Sequence, residues 1–204
     1  MSAPADRRAN RAMRAVPLLA VGLLAVGLFT GCAGGKDAVS QGANVFRYPG
    51  SNPKGTWIAD AKRKLAGPVS GGLISGGTYR LSQDRGKVVV LSFFASWCPP
   101  CQTETPQFDS IYRDRKAAGV RFVGLDVKDP SKSGSQAWLA AKQISFPVVY
   151  DEPGKTAIQL GNVPLGGLPA TVLIDKQGRV AAVYTQEVFP KDLEPVLDQL
   201  VSEA

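Results

Sequence analysis

The 204-residue chain contains no histidine and only three cysteines. A structural zinc site takes four ligands drawn mainly from those two residue types, so zinc is excluded on the ligand count alone. No apolar run reaches the roughly 20 residues that a bilayer-spanning helix requires. The stretch at 16–30 (VPLLAVGLLAVGLFT) comes nearest, with fifteen residues. No aromatic residue interleaves with the basic cluster at 62–64. Lys62, Arg63 and Lys64 form the one basic triplet beyond the N-terminal region, which fits a solvated linker face and not a nucleic-acid surface. There is no internal repeat.

What is present is a Trp-Cys-Pro-Pro-Cys run at residues 97–101. It follows Lys87 to Phe94 (KVVVLSFF), a β-branched and aromatic stretch expected to form a buried strand, and it precedes a stretch of helical composition from Gln102 to Ala118. A strand feeding a helix whose first turn carries both cysteines leaves Cys98 exposed at the positive end of the helix dipole, where a thiolate is favoured. Cys101, one turn further in, should be shielded. Such a pair can close and open a disulfide without moving the backbone. The alternative, a purely structural disulfide, closes too short a loop to stabilise the fold much.

The third cysteine is placed by its surroundings. Residues 1–15 carry Arg7, Arg8, Arg11 and Arg14 against Asp6, and the apolar stretch that follows ends at Gly31-Cys32, the pattern of a signal peptide over residues 1–31. An uncleaved anchor is the other reading. Removing residues 1–31 lowers the formal charge from +7 to +4, through loss of four arginines and one aspartate. Export suits disulfide chemistry, because disulfides persist outside the cytosol.

Residues 32–68 are punctuated by Gly, Pro, Ser, Asn and charge and are expected to form a flexible tether, leaving 69–204 as the folded domain. The Gly-rich stretch 71–77 and Thr78-Tyr79-Arg80-Leu81 predict a hairpin in front of the core. Beyond it strands and helices alternate. Strands are expected at 88–94, 121–127, 146–150, 170–175 and 180–184, and helices at 99–118, 136–143, near 155–160 and at 191–201. The pattern is that of an α/β domain with a central sheet, helices on both faces and an antiparallel hairpin near its end. About 135 residues suffice for one core and not for two.

RGKVVVLSFFASWCPPC (85–101), its continuation QTETP (102–106) and GLPATVLIDKQGRV (167–180) resemble the thioredoxin superfamily, in particular the membrane-tethered TlpA, ResA and CcmG type. The resemblance runs from about Gly67 to the C-terminus. It implies a thioredoxin-like fold: a central mixed sheet flanked by helices, with an N-terminal β-hairpin and a central α/β insertion at about Ser133 to Tyr150. Pro106, five residues after Cys101, stands where such proteins kink the helix. Pro169 is implied to be the cis-proline facing the disulfide, turning the Leu168 backbone toward an extended substrate peptide; an ordinary trans proline is the alternative. Trp97 and the Pro169 loop would frame the substrate groove. Leu28 to Cys32 resembles a bacterial lipobox, with Phe29 departing from it, and implies that Cys32 is acylated and anchors the chain; plain secretion is the alternative.

Glu104, three residues after Cys101, shares its helix face. Related proteins carry an acid at this spacing that is implicated in proton handling, and burial would raise its pKa. The other reading is a first-turn glutamate favouring the helix dipole. Ser92 replaces the buried aspartate of cytosolic thioredoxin, leaving Glu104 the one obvious local acid.

The expected activity is reduction of disulfides in exported proteins, apocytochromes c among them, by a monomer without cofactor or metal, held at the outer face of the bacterial cytoplasmic membrane. The Cys98–Cys101 disulfide would be re-reduced by a CcdA-type membrane donor. Pro99-Pro100 brings no charge or histidine to the thiolate, so a potential nearer about −270 mV than about −120 mV is expected, favouring reductase over oxidase. A thiol peroxidase of the AhpC/TSA type shares the fold, but Ala95-Ser96-Trp97-Cys98 lacks the Thr/Ser-x-x-Cys context. A copper carrier would normally add a distal histidine, and none is present.

Overall fold

The computed structural model describes residues 55–161 and 165–203. The N-terminal signal and lipobox readings, Cys32 included, therefore lie outside the described residues. The largely apolar segment Val88–Phe94 forms a strand with all seven residues buried, as expected of a strand covered on both faces. In chain order the strands are β1 (Gly55–Trp57), β2 (Ser70–Gly72), β3 (Thr78–Arg80), β4 (Val88–Phe94), β5 (Val120–Asp126), β6 (Val148–Tyr150), β7 (Ala170–Ile174) and β8 (Val180–Tyr184). The helices are α1 (Pro99–Arg115), α2 (Lys132–Ala141), α3 (Lys155–Leu160) and α4 (Pro190–Ser202).

Six strands make one mixed sheet in the order β1-β8-β7-β4-β5-β6, while β2 and β3 pair as the expected hairpin. Alternate residues of β4 feed two apolar cores. Val88, Val90 and Phe94 pack with Phe108 of α1, Leu139 of α2 and Leu193, Leu197 and Leu200 of α4. Val89, Leu91 and Phe93 pack with Val69 and Tyr79 of the hairpin region and Leu160 of α3. The domain is thus a thioredoxin-like fold, with α2 and β6 as the central insertion.

Two boundaries shift for identifiable reasons. Helix α2 begins at Lys132, four residues before the expected start, because Ser131 caps it: the Gly134 amide donates to Ser131 Oγ at 3.1 Å. Strand β6 begins at Val148, since Pro147 has no N–H for the ladder, although its carbonyl still accepts from the Gly124 amide at 2.9 Å.

The last part of the expected tether differs from the structure. Strand β1 pairs antiparallel with β8, Gly55 opposite Tyr184, and Trp57 is buried. Arg63, expected on a solvated face, is buried instead, in contact with Asp175 and Glu203. Ordered structure therefore begins by Gly55, well before residue 69.

The topology fixes where a site can form. Strands β4 and β5 are parallel, so their C-terminal ends lie together, and antiparallel β7 begins at the same edge, with Phe93 opposite Ala170. The loops after Phe94, after Asp126 and before Ala170 converge there.

Candidate active site

Cys98 is the N-cap of α1, with Pro99 and Pro100 in the first turn, where their missing N–H groups cost nothing. The Cys101 amide donates to Cys98 Sγ at 3.3 Å, an interaction that together with the helix dipole favours negative charge on that sulfur. The two sulfurs are bonded at 2.08 Å, with the Cα atoms 5.2 Å apart. Cys101 is fully buried, as expected, but Cys98 is only 3% exposed and so is not the open thiol that the sequence suggested. Its neighbours cover it: Trp97, Pro99, Pro100 and Leu168 line the same cavity of about 480 Å³ that Cys98 borders. The rest of that wall is mostly apolar, including Phe93, Val127 and Ala157, with Lys128 the one charged side chain.

Trp97 is 54% exposed, and its Nε1 donates to the Lys128 carbonyl at 3.0 Å. The Leu168–Pro169 peptide bond is cis, as the resemblance implied, and sits at the edge where β7 starts. Glu104 lies beyond the first turn of α1, which holds no acidic residue, so the reading as a first-turn dipole partner does not apply. Glu104 and Cys101 are both fully buried, and Glu104 Oε1 accepts from the Val188 amide at 2.8 Å.

Sequence reasoning missed two further acids at this edge. Asp129, buried in the loop after β5, accepts from the Ser96 amide and the Ser96 hydroxyl, each at 2.7 Å. Asp126, the last residue of β5, is buried behind it, and burial pushes its pKa up to about 7, with Asp129 adding to the rise. Glu104 is therefore not the only local acid. Proximity of Asp129 to the dithiol follows from the parallel pairing of β4 and β5, a non-local relation; an Asp-Pro step after a strand was the one available signal. Among the described residues no group of three or more Cys, Asp or Glu is arranged to hold a metal ion.

The pattern of the AhpC/TSA family matches residues 59–183. The chain is 33% identical over 127 residues to the thiol-disulfide oxidoreductase ResA of Geobacillus kaustophilus, covering 62% of this chain and 71% of that one. Among solved structures, a DsbF homologue from Corynebacterium diphtheriae is 33% identical with a TM-score of 0.69, over 76% of this chain and 98% of that one. A secreted thiol-disulfide isomerase from Corynebacterium glutamicum is 32% identical with a TM-score of 0.70, over 78% and 98% respectively.

Proposed function

Because the chain belongs to the AhpC/TSA family of thioredoxin-fold proteins, we propose that it is a thiol-disulfide oxidoreductase that reduces disulfides of exported proteins through Cys98 and Cys101. The observation that carries this reading is the placement of Cys98 Sγ as a helix N-cap accepting the Cys101 amide, beside an apolar cavity.

In the reduced protein the Cys98 thiolate attacks one sulfur of a substrate disulfide, forming a mixed disulfide and releasing the other substrate sulfur as a thiolate that takes up a proton. Cys101 then gives up its proton and attacks Cys98 Sγ. The bond to substrate breaks, the substrate leaves as a dithiol and the protein is left oxidised by two electrons. A thiol donor at the membrane, of CcdA type, returns those electrons. Glu104, buried on the same helix as Cys101, is the group we assign to the proton of Cys101. Trp97, Leu168 and Pro169 frame the substrate segment. Residues 1–31 act as the export signal and Cys32 as the lipid-bearing anchor, which keeps the domain at the outer face of the membrane; apocytochromes c are a substrate class within reach there.

The test is the redox midpoint of the Cys98–Cys101 pair, equilibrated against glutathione or dithiothreitol and followed by tryptophan fluorescence. A value below about −220 mV is expected; one above about −150 mV would make the protein an oxidase that introduces disulfides. Membership of the AhpC/TSA family also supports a peroxidase reading. Ala95, three residues before Cys98, lacks the hydroxyl of a peroxidatic context, so reduction of hydrogen peroxide should be negligible beside reduction of insulin.

A further inference from the structure

The turn that presents Cys98 is fastened from outside its own segment. Within it, the Cys98 amide donates to the Ala95 carbonyl at 3.2 Å, which closes the turn but leaves the Ser96 peptide to be held by others. Gln102 Nε2 takes the Ser96 carbonyl at 2.7 Å, and the two oxygens of Asp129 take the Ser96 amide and hydroxyl separately. Asp129 is itself set in place: its carbonyl accepts from the Tyr150 hydroxyl at 2.8 Å, and the Val127 amide donates to the Phe94 carbonyl at 3.1 Å. Charge-assisted bonds of this kind are short and directional.

We propose that Asp129 is a positioning residue for the Cys98 thiol, holding the Ala95–Cys98 turn in the shape that keeps Cys98 Sγ in front of the Cys101 amide. The proposal rests on the dithiol reading above and adds a residue outside the WCPPC motif that sets the motif's reactivity. If the turn relaxes, Cys98 Sγ loses alignment with its backbone donor and the thiolate is less stabilised. A less stable thiolate means a less stable reduced form, hence a more negative midpoint. The groups facing Asp129 are Ser96 from the site loop, Asp126 from β5 and Tyr150 from β6, with Ser135 of α2 against Asp126 and Lys128 next in sequence. Among the described residues the Ser96 amide and hydroxyl occupy one Asp129 oxygen each, which makes Ser96 its principal partner.

The structure supplies a comparable control away from the dithiol. The Ser145 amide and hydroxyl both donate to one oxygen of Asp109 of α1, at 2.6 and 2.7 Å, while Arg113 pairs with the other. Ser96→Ala, Ser96→Thr, Asp129→Asn and Ser145→Ala are compared in the full chain, reduced, by the pH dependence of iodoacetamide alkylation read on the Cys98 peptide by mass, and by the redox midpoint. Loss of one such bond is expected to slow alkylation at neutral pH about fivefold in Ser96→Ala, with Asp129→Asn in the same direction and Ser96→Thr within about twofold of the parent. The midpoint of Ser96→Ala should move to a more negative value, while Ser145→Ala moves neither readout. If Ser96→Ala and Ser145→Ala lower stability alike and leave alkylation and midpoint unchanged, Asp129 is only structural and the proposal is overturned. Alkylation needs no substrate. A parent protein that fails to reduce insulin, with a Cys98 profile that still responds to Ser96→Ala, would sink the reductase reading and uphold the positioning role.

Discussion

Glu104 Oε1 accepts a hydrogen bond from the Val188 amide at 2.8 Å, joining α1 next to the dithiol to the segment that leads into α4. Both residues are fully buried, so the bond cannot be replaced by water when it is lost. Glu104→Ala is expected to cost about 2–3 kcal/mol in urea unfolding, because it leaves a buried N–H without its acceptor. Glu104→Gln keeps a carbonyl oxygen at the same reach and should stay within about 1 kcal/mol of the parent. If Glu104 handles the Cys101 proton, Glu104→Gln will nevertheless slow insulin reduction by about tenfold, since an amide neither gives nor takes the proton.

The Asp126 carboxyl carries a pH dependence of opposite sign to that of an ion-paired acid. Burial raises its pKa to about 7 from the ordinary value of 3.8, so between those values the folded state binds more protons than the unfolded one. Stability contributed by the protonated form is therefore present in full below about pH 4 and is lost progressively as pH rises to about 7, flattening above that. Asp126→Asn removes the slope. It should leave stability near pH 4 little changed and raise it near pH 8 by on the order of 3 kcal/mol, measured as the unfolding midpoint in urea across pH.

Much of this architecture was legible locally. Six apolar residues within 88–94, interrupted only by Ser92, marked a doubly covered strand, and the Pro-Pro step after Cys98 marked the start of α1. The elements that escaped notice are held by distant partners. Gly55–Trp57 is three residues long and becomes a strand only because β8 lies beside it. Arg63 looked like part of a solvated basic triplet, since its partners Asp175 and Glu203 stand more than a hundred residues away. Asp129 carried no signal beyond its Asp-Pro step; it matters because β4 and β5 run parallel and end together. Burial of Cys98 was missed for the same reason, as Leu168 and Trp97 converge on it from different loops.

Gly124, in the middle of β5, lies opposite Ser92 of β4 and Val148 of β6. A Cβ there would come within 2.9 Å of Phe94 Cε1 and Val148 Cγ2 and 3.1 Å of Phe146 Cε2. These are packed ring and branched side chains without room to retreat. Gly124→Ala is expected to destabilise the domain by about 1–3 kcal/mol, seen as a lower unfolding midpoint, with the displaced Phe94 disturbing the first residue before the site loop.

Arg63 spreads one charge over five contacts: Nε to the Ile58 carbonyl at 3.0 Å, Nη1 to Asp175 at 3.3 Å and to the exposed Asp60 at 3.8 Å, both Nη atoms to the Glu203 carboxylate, and Cζ 4.7 Å from the centre of the Trp57 ring. It thereby binds the segment after β1 to the β7–β8 turn and to the end of α4. Removing one member of a buried pair usually costs about 3–5 kcal/mol, because the remaining charge is left uncompensated. Here Asp175 keeps Arg179 Nε at 2.8 Å and Glu203 is a quarter exposed, so neither acid is abandoned. The expected loss for Arg63→Met is accordingly smaller, about 2 kcal/mol, and nearly independent of salt, since the guanidinium is fully covered. Arg63→Lys retains charge without the planar fork or the stacking face and should recover less than half of that loss. Hydrogen exchange at the Ile58 amide, which donates to the Ala181 carbonyl at 2.8 Å, reports the same event locally. In Arg63→Met its protection should fall more than that of the β4 amides, because β1 is the strand that Arg63 ties down.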